Sequence, residues 1–225
     1  MLNFQTARRN LFAMTALTSL LFCSAATARQ VQVTVTDSQG QPLPLAVVST
    51  DQPRQEPASE TAVIDQVDRL FAPFISTVQP GTQVRFPNSD NIRHQVYSFS
   101  PSKTFELPLY SNLEAPAITF DQPGVVVLGC NIHDHMRAYL YVSPREQSVV
   151  TDAQGQAQLH FYNDSADIFV WYPGLGETAT SERRVAVAEG VEQIAVQLPV
   201  QPQQQTPPEP SSLQQRFNKL KEHAH

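Results

Sequence analysis

Between residues 29 and 200 this chain is a succession of short apolar or alternating runs, each cut off by Gly, Pro, Asn or Asp, with no long helical periodicity. That pattern restricts the fold more than any other feature. Val31, Val33 and Val35 alternate with Gln32, Thr34 and Thr36, which predicts a half-buried strand, and Asp37-Ser38-Gln39-Gly40 closes it. Further strands are expected at 62–66, 74–79, 82–87, 94–99, 117–120, 125–130 and 138–143. The turn signals Gln79-Pro80-Gly81, Asn88-Ser89-Asp90-Asn91 and Gln122-Pro123-Gly124 separate them. Strand character resumes at Val149-Val150 and returns at 157–161, 168–172, 185–187 and 194–198. Short strands punctuated in this way predict an all-β sandwich or barrel. Trp171 and Tyr172 fall in one of these runs and read as core, whereas His160, between Leu159 and Phe161, reads as a surface residue.

The flanks differ in kind. Residues 1–28 read as a secretory signal: Arg8 and Arg9 supply the positive region, Leu11 to Phe22 the apolar core, and Ala26-Thr27-Ala28 the small-residue cleavage site. The apolar core is too short for a permanent bilayer span. The expected destination is the periplasm by the general secretory route, since Arg8-Arg9-Asn10-Leu11-Phe12 is only a loose twin-arginine pattern. Net charge is −6, and loss of Arg8 and Arg9 makes it −8, with 13 basic against 21 acidic residues. That balance argues against a nucleic-acid partner. No second apolar run is long enough for an integral membrane span. Residues 51–61 are polar and proline-bearing, a linker by composition. Residues 201–225 form a Gln/Pro-rich tail in which Leu213, Phe217 and Leu220 suggest a short amphipathic helix.

One loop carries the chemistry. Cys130, His133 and Met136 lie in the run Cys-Asn-Ile-His-Asp-His-Met between two apolar strands, with His94 upstream. Soft sulfur ligands select copper, and two His with one Cys and a weak axial Met define the blue-copper geometry. The other cysteine, Cys23, lies in the signal, so Cys130 is alone in the mature chain. A lone thiol in an oxidising compartment is a liability unless something occupies it. The plain alternative is a buried, inert Cys acting as a small apolar side chain. Imidazole and thioether on the same loop weigh toward metal.

Residues 62–144 resemble a cupredoxin domain, a Greek-key β-sandwich. The likeness rests on Phe74-Ile75-Ser76-Thr77-Val78-Gln79-Pro80-Gly81-Thr82-Gln83-Val84-Arg85-Phe86, on Asn88-Ser89-Asp90 with His94, and on Asp121-Gln122-Pro123-Gly124 leading to Cys130. The Cys-x2-His-x2-Met spacing is similar to that of the amicyanin and plastocyanin-like blue-copper proteins. The phrases PNSDNIRHQVYSFSPSKTFELPLY and PGVVVLGCNIHDHM resemble exported proteins named for methylamine utilisation, a name that carries no implication of methylamine metabolism. The resemblance implies one copper ion, Cu(I)/Cu(II), with His94, Cys130 and His133 as equatorial ligands and Met136 as the axial one. Gln95, Asn131, Asp134 and His135 are the expected supporting neighbours. Gln95 stands where many relatives have Asn, and Asp134 and His135 make the ligand loop polar where an apolar docking patch is usual.

Residues 29–50 and 145–200 resemble a carboxypeptidase-regulatory-like β-sandwich, through Val31 to Leu43 with Ala46-Val47-Val48 and through Thr151 to Leu159. Two arrangements are open: one discontinuous sandwich with the copper unit inserted in it, or two unconnected β extensions.

The function expected is one-electron transfer between protein redox partners, such as a cytochrome or an oxidoreductase. A substrate-converting enzyme is disfavoured because four ligands leave no open coordination position. The alternative is an envelope copper-binding, delivery or sensing protein. A purely structural β module would leave Asp134 and His135 beside a buried Cys in need of partners. A Cys-His protease is disfavoured because His133 shares a tight loop with Cys130, and zinc because a thioether suits it poorly.

Overall fold

The computed structural model describes residues 28–206, apart from 55, 112–116, 164 and 179. The signal expected at 1–28 (save Ala28) and the helix expected within 211–225 lie outside the described residues. In chain order the strands are β1 (Arg29–Thr36), β2 (Val47–Thr50), β3 (Thr61–Val63), β4 (Asp65–Val67), β5 (Leu70–Ala72), β6 (Ile75–Val78), β7 (Thr82–Arg85), β8 (Tyr97–Ser100) and β9 (Lys103–Glu106). They continue with β10 (Ile118–Phe120), β11 (Gly124–Gly129), β12 (Arg137–Val142), β13 (Gln147–Val150), β14 (Gln156–Phe161), β15 (Ala166–Trp171), β16 (Arg183–Val187) and β17 (Gln193–Gln197). The all-β expectation holds.

Val31, Val33 and Val35 on β1 are fully buried, and the residues between them point outward, as the alternation requires. β1 lies between antiparallel β14 and parallel β17. β2 lies between β13 and β15, with β16 outermost. These two sheets enclose a core that includes Val33, Val48, Leu159, Phe161, Ile168 and Trp171. The first and last sections therefore share one sandwich. Its break in sequence is closed in space: Thr50, where β2 ends, is the register partner of Gln147, where β13 begins. The chain leaves and re-enters at adjacent points, and β3 to β12 lie between.

Those inserted strands form a three-stranded sheet, β10-β7-β3, a five-stranded sheet, β6-β12-β11-β8-β9, and the separate hairpin β4-β5. β11 (GVVVLG) and β12 (RAYLYV) are nearly continuous apolar runs rather than alternating ones, because both of their faces are covered. Val126, Leu128, Ala138, Leu140 and Val142 enter the inner core with Phe86 and Phe120. Val125, Tyr139 and Tyr141 face the other way and join the outer core. There Trp171 meets the Tyr139 and Tyr141 rings at 6.0 and 5.4 Å between centroids. The five-stranded sheet is thus a middle layer. A nearly buried ion pair braces it: Arg145 donates to both Glu182 oxygens at 2.9 and 2.8 Å, and the Tyr141 hydroxyl donates to the same carboxylate.

Several expectations are corrected. The strand expected at 62–66 breaks at buried Ile64, so β3 pairs with β7 while β4 pairs with β5. Neither β5 nor β9 was expected. The β4-β5 turn is Asp68-Arg69, both at positive φ (54° and 57°), without the Gly that usually marks a two-residue hairpin. β9 (KTFE) has a single large apolar residue to signal it. The strand expected at 94–99 begins only at Tyr97, because His94 forms an isolated bridge with Tyr110 instead of a ladder. His160 is half-buried, in a cleft it shares with Arg54 and Glu56 of the 51–61 segment.

Trp171→Ala removes the ring that fills the space between the outer core and the middle sheet. Stability should fall by about 3–5 kcal/mol. Urea denaturation followed by circular dichroism checks this, since Trp171 is the only tryptophan.

Candidate metal centre

The last pair of the β11-β12 ladder is Gly129↔Arg137, so residues 130–136 form the connecting loop. Its backbone closes on itself. The His133 amide donates to the Cys130 carbonyl at 3.4 Å, Met136 to His133 at 2.9 Å, and Cys130 to Met136 at 3.3 Å. Gly129 precedes the loop because the Tyr97 ring lies on it; a Cβ there would stand 2.7 Å from Cζ of that ring. His94 arrives from the opposite side. Its amide and carbonyl both bond to Tyr110, at 3.0 and 2.9 Å. Buried Asn88 holds the approach by donating to the Ile92 and Tyr110 carbonyls, both at 2.9 Å.

Three donor atoms converge. His94 Nδ1 and His133 Nδ1 are 3.2 Å apart, and Cys130 Sγ lies 4.0 and 3.8 Å from them. A triangle with these sides has its centre about 2.1 Å from each corner, within reach of metal bonds to imidazole (about 2.0–2.1 Å) and thiolate (about 2.3 Å). Two imidazole lone pairs this close repel unless a proton or a cation lies between them. His94 is fully buried, Cys130 and Met136 nearly so, and His133 is half-buried at the rim. Met136 packs in the same core cluster as Cys130 and lines with it a flanking cavity of about 290 Å³ that also touches Tyr97 and Asp134. Among the described residues Cys130 is the free thiol. The donor set and spacing therefore suit a soft, first-row cation.

The support around the donors differs from the sequence expectation. His94 Nε2 lies 2.7 Å from Asp90 Oδ2, so the carboxylate accepts a hydrogen bond from Nε2–H and favours the tautomer whose Nδ1 lone pair faces the centre. Asp90 also accepts from the Asp68 amide at 2.8 Å and the Arg69 amide at 2.9 Å. Sequence reasoning missed Asp90. Its signal was a carboxylate four residues before the His in Asp-Asn-Ile-Arg-His, a separation that a loop can close as readily as a helix. Of the expected supporting residues, Gln95 is buried but donates to Glu106 at 2.7 Å rather than to the ligand loop. His135 Nε2 meets the Arg69 carbonyl at 3.0 Å, and its ring stands 5.8 Å from that of His133. Asn131 and Asp134 are exposed. The loop also exposes an apolar residue, Ile132 beside His133, which is 49% exposed.

At the centre, Asp90 and His133 have shifted proton affinities. Burial pushes the Asp90 carboxyl up, but the Arg69 amide, the His94 ring and the Asp68 amide outweigh it and hold it below its ordinary value of 3.8. Burial, with His94 and His135 close by, lowers His133 from its ordinary 6.5.

No protein-family model matches the chain, and no curated protein matches it in sequence. Solved structures do align with part of it. A Cu-containing nitrite reductase from Thermus scotoductus SA-01 is 25% identical over 41% of this chain and 25% of its own, with a TM-score of 0.35. A reduced Trp-to-Tyr mutant of amicyanin is 19% identical over 43% of this chain and 98% of its own, also at 0.35. The Cu(I) form of a Met-to-Ala mutant of amicyanin is 21% identical over 44% and 99%, again at 0.35. The chain thus spans a quarter of the nitrite reductase and nearly the whole of the amicyanins.

Asp90→Asn should retain the fold but let the His94 ring turn, weakening metal binding about 10- to 100-fold in a competition titration. In the metal-free protein, nuclear magnetic resonance should place the His133 titration below pH 6.5. The unfolded chain takes up this proton at about 6.5 and the folded protein only at lower pH, so His133 begins to cost stability as pH falls through that value.

Proposed function

We propose that this chain is an exported, cupredoxin-like copper protein that passes single electrons between protein partners. The observation that carries the reading is the convergence of His94 Nδ1, Cys130 Sγ and His133 Nδ1 with their separations already matched to one ion. His94, Cys130 and His133 would hold the ion, and Met136, buried in the same cluster as Cys130, would offer it a thioether. When bound, copper supplies a one-electron Cu(I)/Cu(II) couple. The protein contributes a fixed frame: a ladder-borne loop for three donors and a carboxylate-held imidazole for the fourth. Burial of His94, Cys130 and Met136 keeps water from that frame, which suits an electron carrier better than a substrate-converting enzyme.

In this reading residues 62–144 are the copper domain and 51–61 the link to it. Residues 29–50 with 145–200 form its carrier sandwich, and residues 1–28 direct export to the periplasm. Exposed Ile132, beside His133 on the loop, offers apolar surface to a protein partner such as a cytochrome or an oxidoreductase. A second reading, copper delivery or sensing in the envelope, is favoured by His135 standing 5.8 Å from His133, where it can assist exchange of a metal at the rim.

Absorption and electron paramagnetic resonance spectra of the mature protein with one equivalent of Cu(II) test the proposal. An intense visible thiolate-to-copper band, absent from Cys130→Ala, is expected. A spectrum without that band, the same in both proteins, overturns the redox reading. A band that fades as copper passes quickly to a chelator shifts the assignment to delivery.

A further inference from the structure

The segment after β17 crosses the molecule toward the metal centre. Leu198 and Val200 are buried in the outer core, and the Val200 carbonyl accepts from Ser38 at 2.9 Å. Next, both main-chain groups of Gln203 meet the hydroxyl of buried Tyr172: the amide donates to it at 2.7 Å and the carbonyl accepts from it at 3.4 Å. Two residues on, the Gln205 side chain does what a neighbouring strand would do. Its Oε1 accepts the Phe71 amide at 2.9 Å and its Nε2 donates to the Phe71 carbonyl at 2.5 Å.

Phe71 sits on β5, half of a hairpin that joins neither larger sheet. A two-stranded hairpin is marginal by itself. This one also carries Asp68 and Arg69 at positive φ, an uncommon conformation for side-chain-bearing residues. Its turn is nevertheless the element that holds the metal site. The Asp68 and Arg69 amides fix Asp90, Asp90 fixes His94 Nε2, and the Arg69 carbonyl holds His135. Opposite, the Gln66 side chain ties β4 to the Phe86 and Pro87 carbonyls at 3.3 and 2.9 Å, so the inner edge is secured by the inserted unit itself. The outer edge is secured at Phe71 by a residue 134 positions away.

We propose that Gln205 is a positioning residue for the metal centre: by completing the edge of β5 it holds the 68–69 turn against Asp90, and through Asp90 sets the imidazole of His94. The coupling is a property of the metal-free chain, while its bearing on function rests on the copper reading above.

The test is amide hydrogen exchange on the full-length, metal-free protein, with the proton on His94 Nε2 followed by nuclear magnetic resonance. In Gln205→Ala, exchange at Phe71, Asp68 and Arg69 should quicken about threefold to tenfold, the factor that loss of one net hydrogen bond brings. The His94 Nε2 proton should exchange faster as well. Gln205→Glu, which keeps an acceptor for the Phe71 amide, should lie between the variant and the parent. Gln203→Ala should match the parent, because the bonds of Gln203 to the described residues are made by its main chain. Faster exchange confined to Phe71, with the Asp68 and Arg69 amides and the His94 proton unchanged, overturns the proposal and leaves Gln205 as a local edge cap. Equal effects of the 203 and 205 substitutions overturn it too. No metal is added, so the outcome stands apart from whether Cys130 binds copper.

Discussion

The β11-β12 ladder, buried on both faces, governs most of what surrounds it. Val126, Leu128, Leu140 and Val142 fill one core while Val125, Tyr139 and Tyr141 fill the other. Sliding either strand by one residue would exchange the faces and spoil both cores at once, so the register is specified twice over. The loop at the end of such a ladder inherits its precision. Cys130 and Met136 begin and end that loop, immediately beyond the Gly129↔Arg137 pair. A loop with no regular structure thereby gains the positional accuracy of a sheet.

The opposite side of the centre is organised by polar contacts. His94 belongs to no ladder; its bridge to Tyr110, the Asn88 amide and the Asp90 carboxylate place it. Apolar packing fixes the sulfur donors and hydrogen bonding fixes the buried imidazole. Hydrogen bonds can also choose a tautomer, which packing cannot. With Nε2 occupied by Asp90, only Nδ1 is left to face inward.

The difference between these two kinds of constraint explains what was legible in the sequence. Val31, Val33 and Val35 announced their strand because one face meets water. The Cys130-His133-Met136 spacing pointed to a candidate site, and the structure brings Cys130 and His133 together with His94. Asp90 stayed hidden among turn residues, since Asn88-Ser89-Asp90-Asn91 reads as a turn whether or not one carboxylate serves an imidazole. Hairpin β4-β5 was hidden because its turn lacks Gly and its support comes from Asp90 and from Gln205, contacts that local pattern does not encode. Gln95 shows a similar limit: it adjoins His94 in sequence, yet its side chain turns to Glu106.

The interrupted sandwich has a kinetic consequence. The ladders of β1 are with β14 and β17, so Arg29 waits for Phe161 and Val35 for Val196 before either ladder is formed. Closing such a long loop is entropically slow, and the reward arrives only after closure. Were β3 to β12 to form before the outer sheets, the search would be shortened, since Thr50 and Gln147 stand side by side at the ends of that unit. The inner unit would then act as the clasp that brings the two halves of the outer one together, and whatever stabilises it early would speed completion of the whole chain.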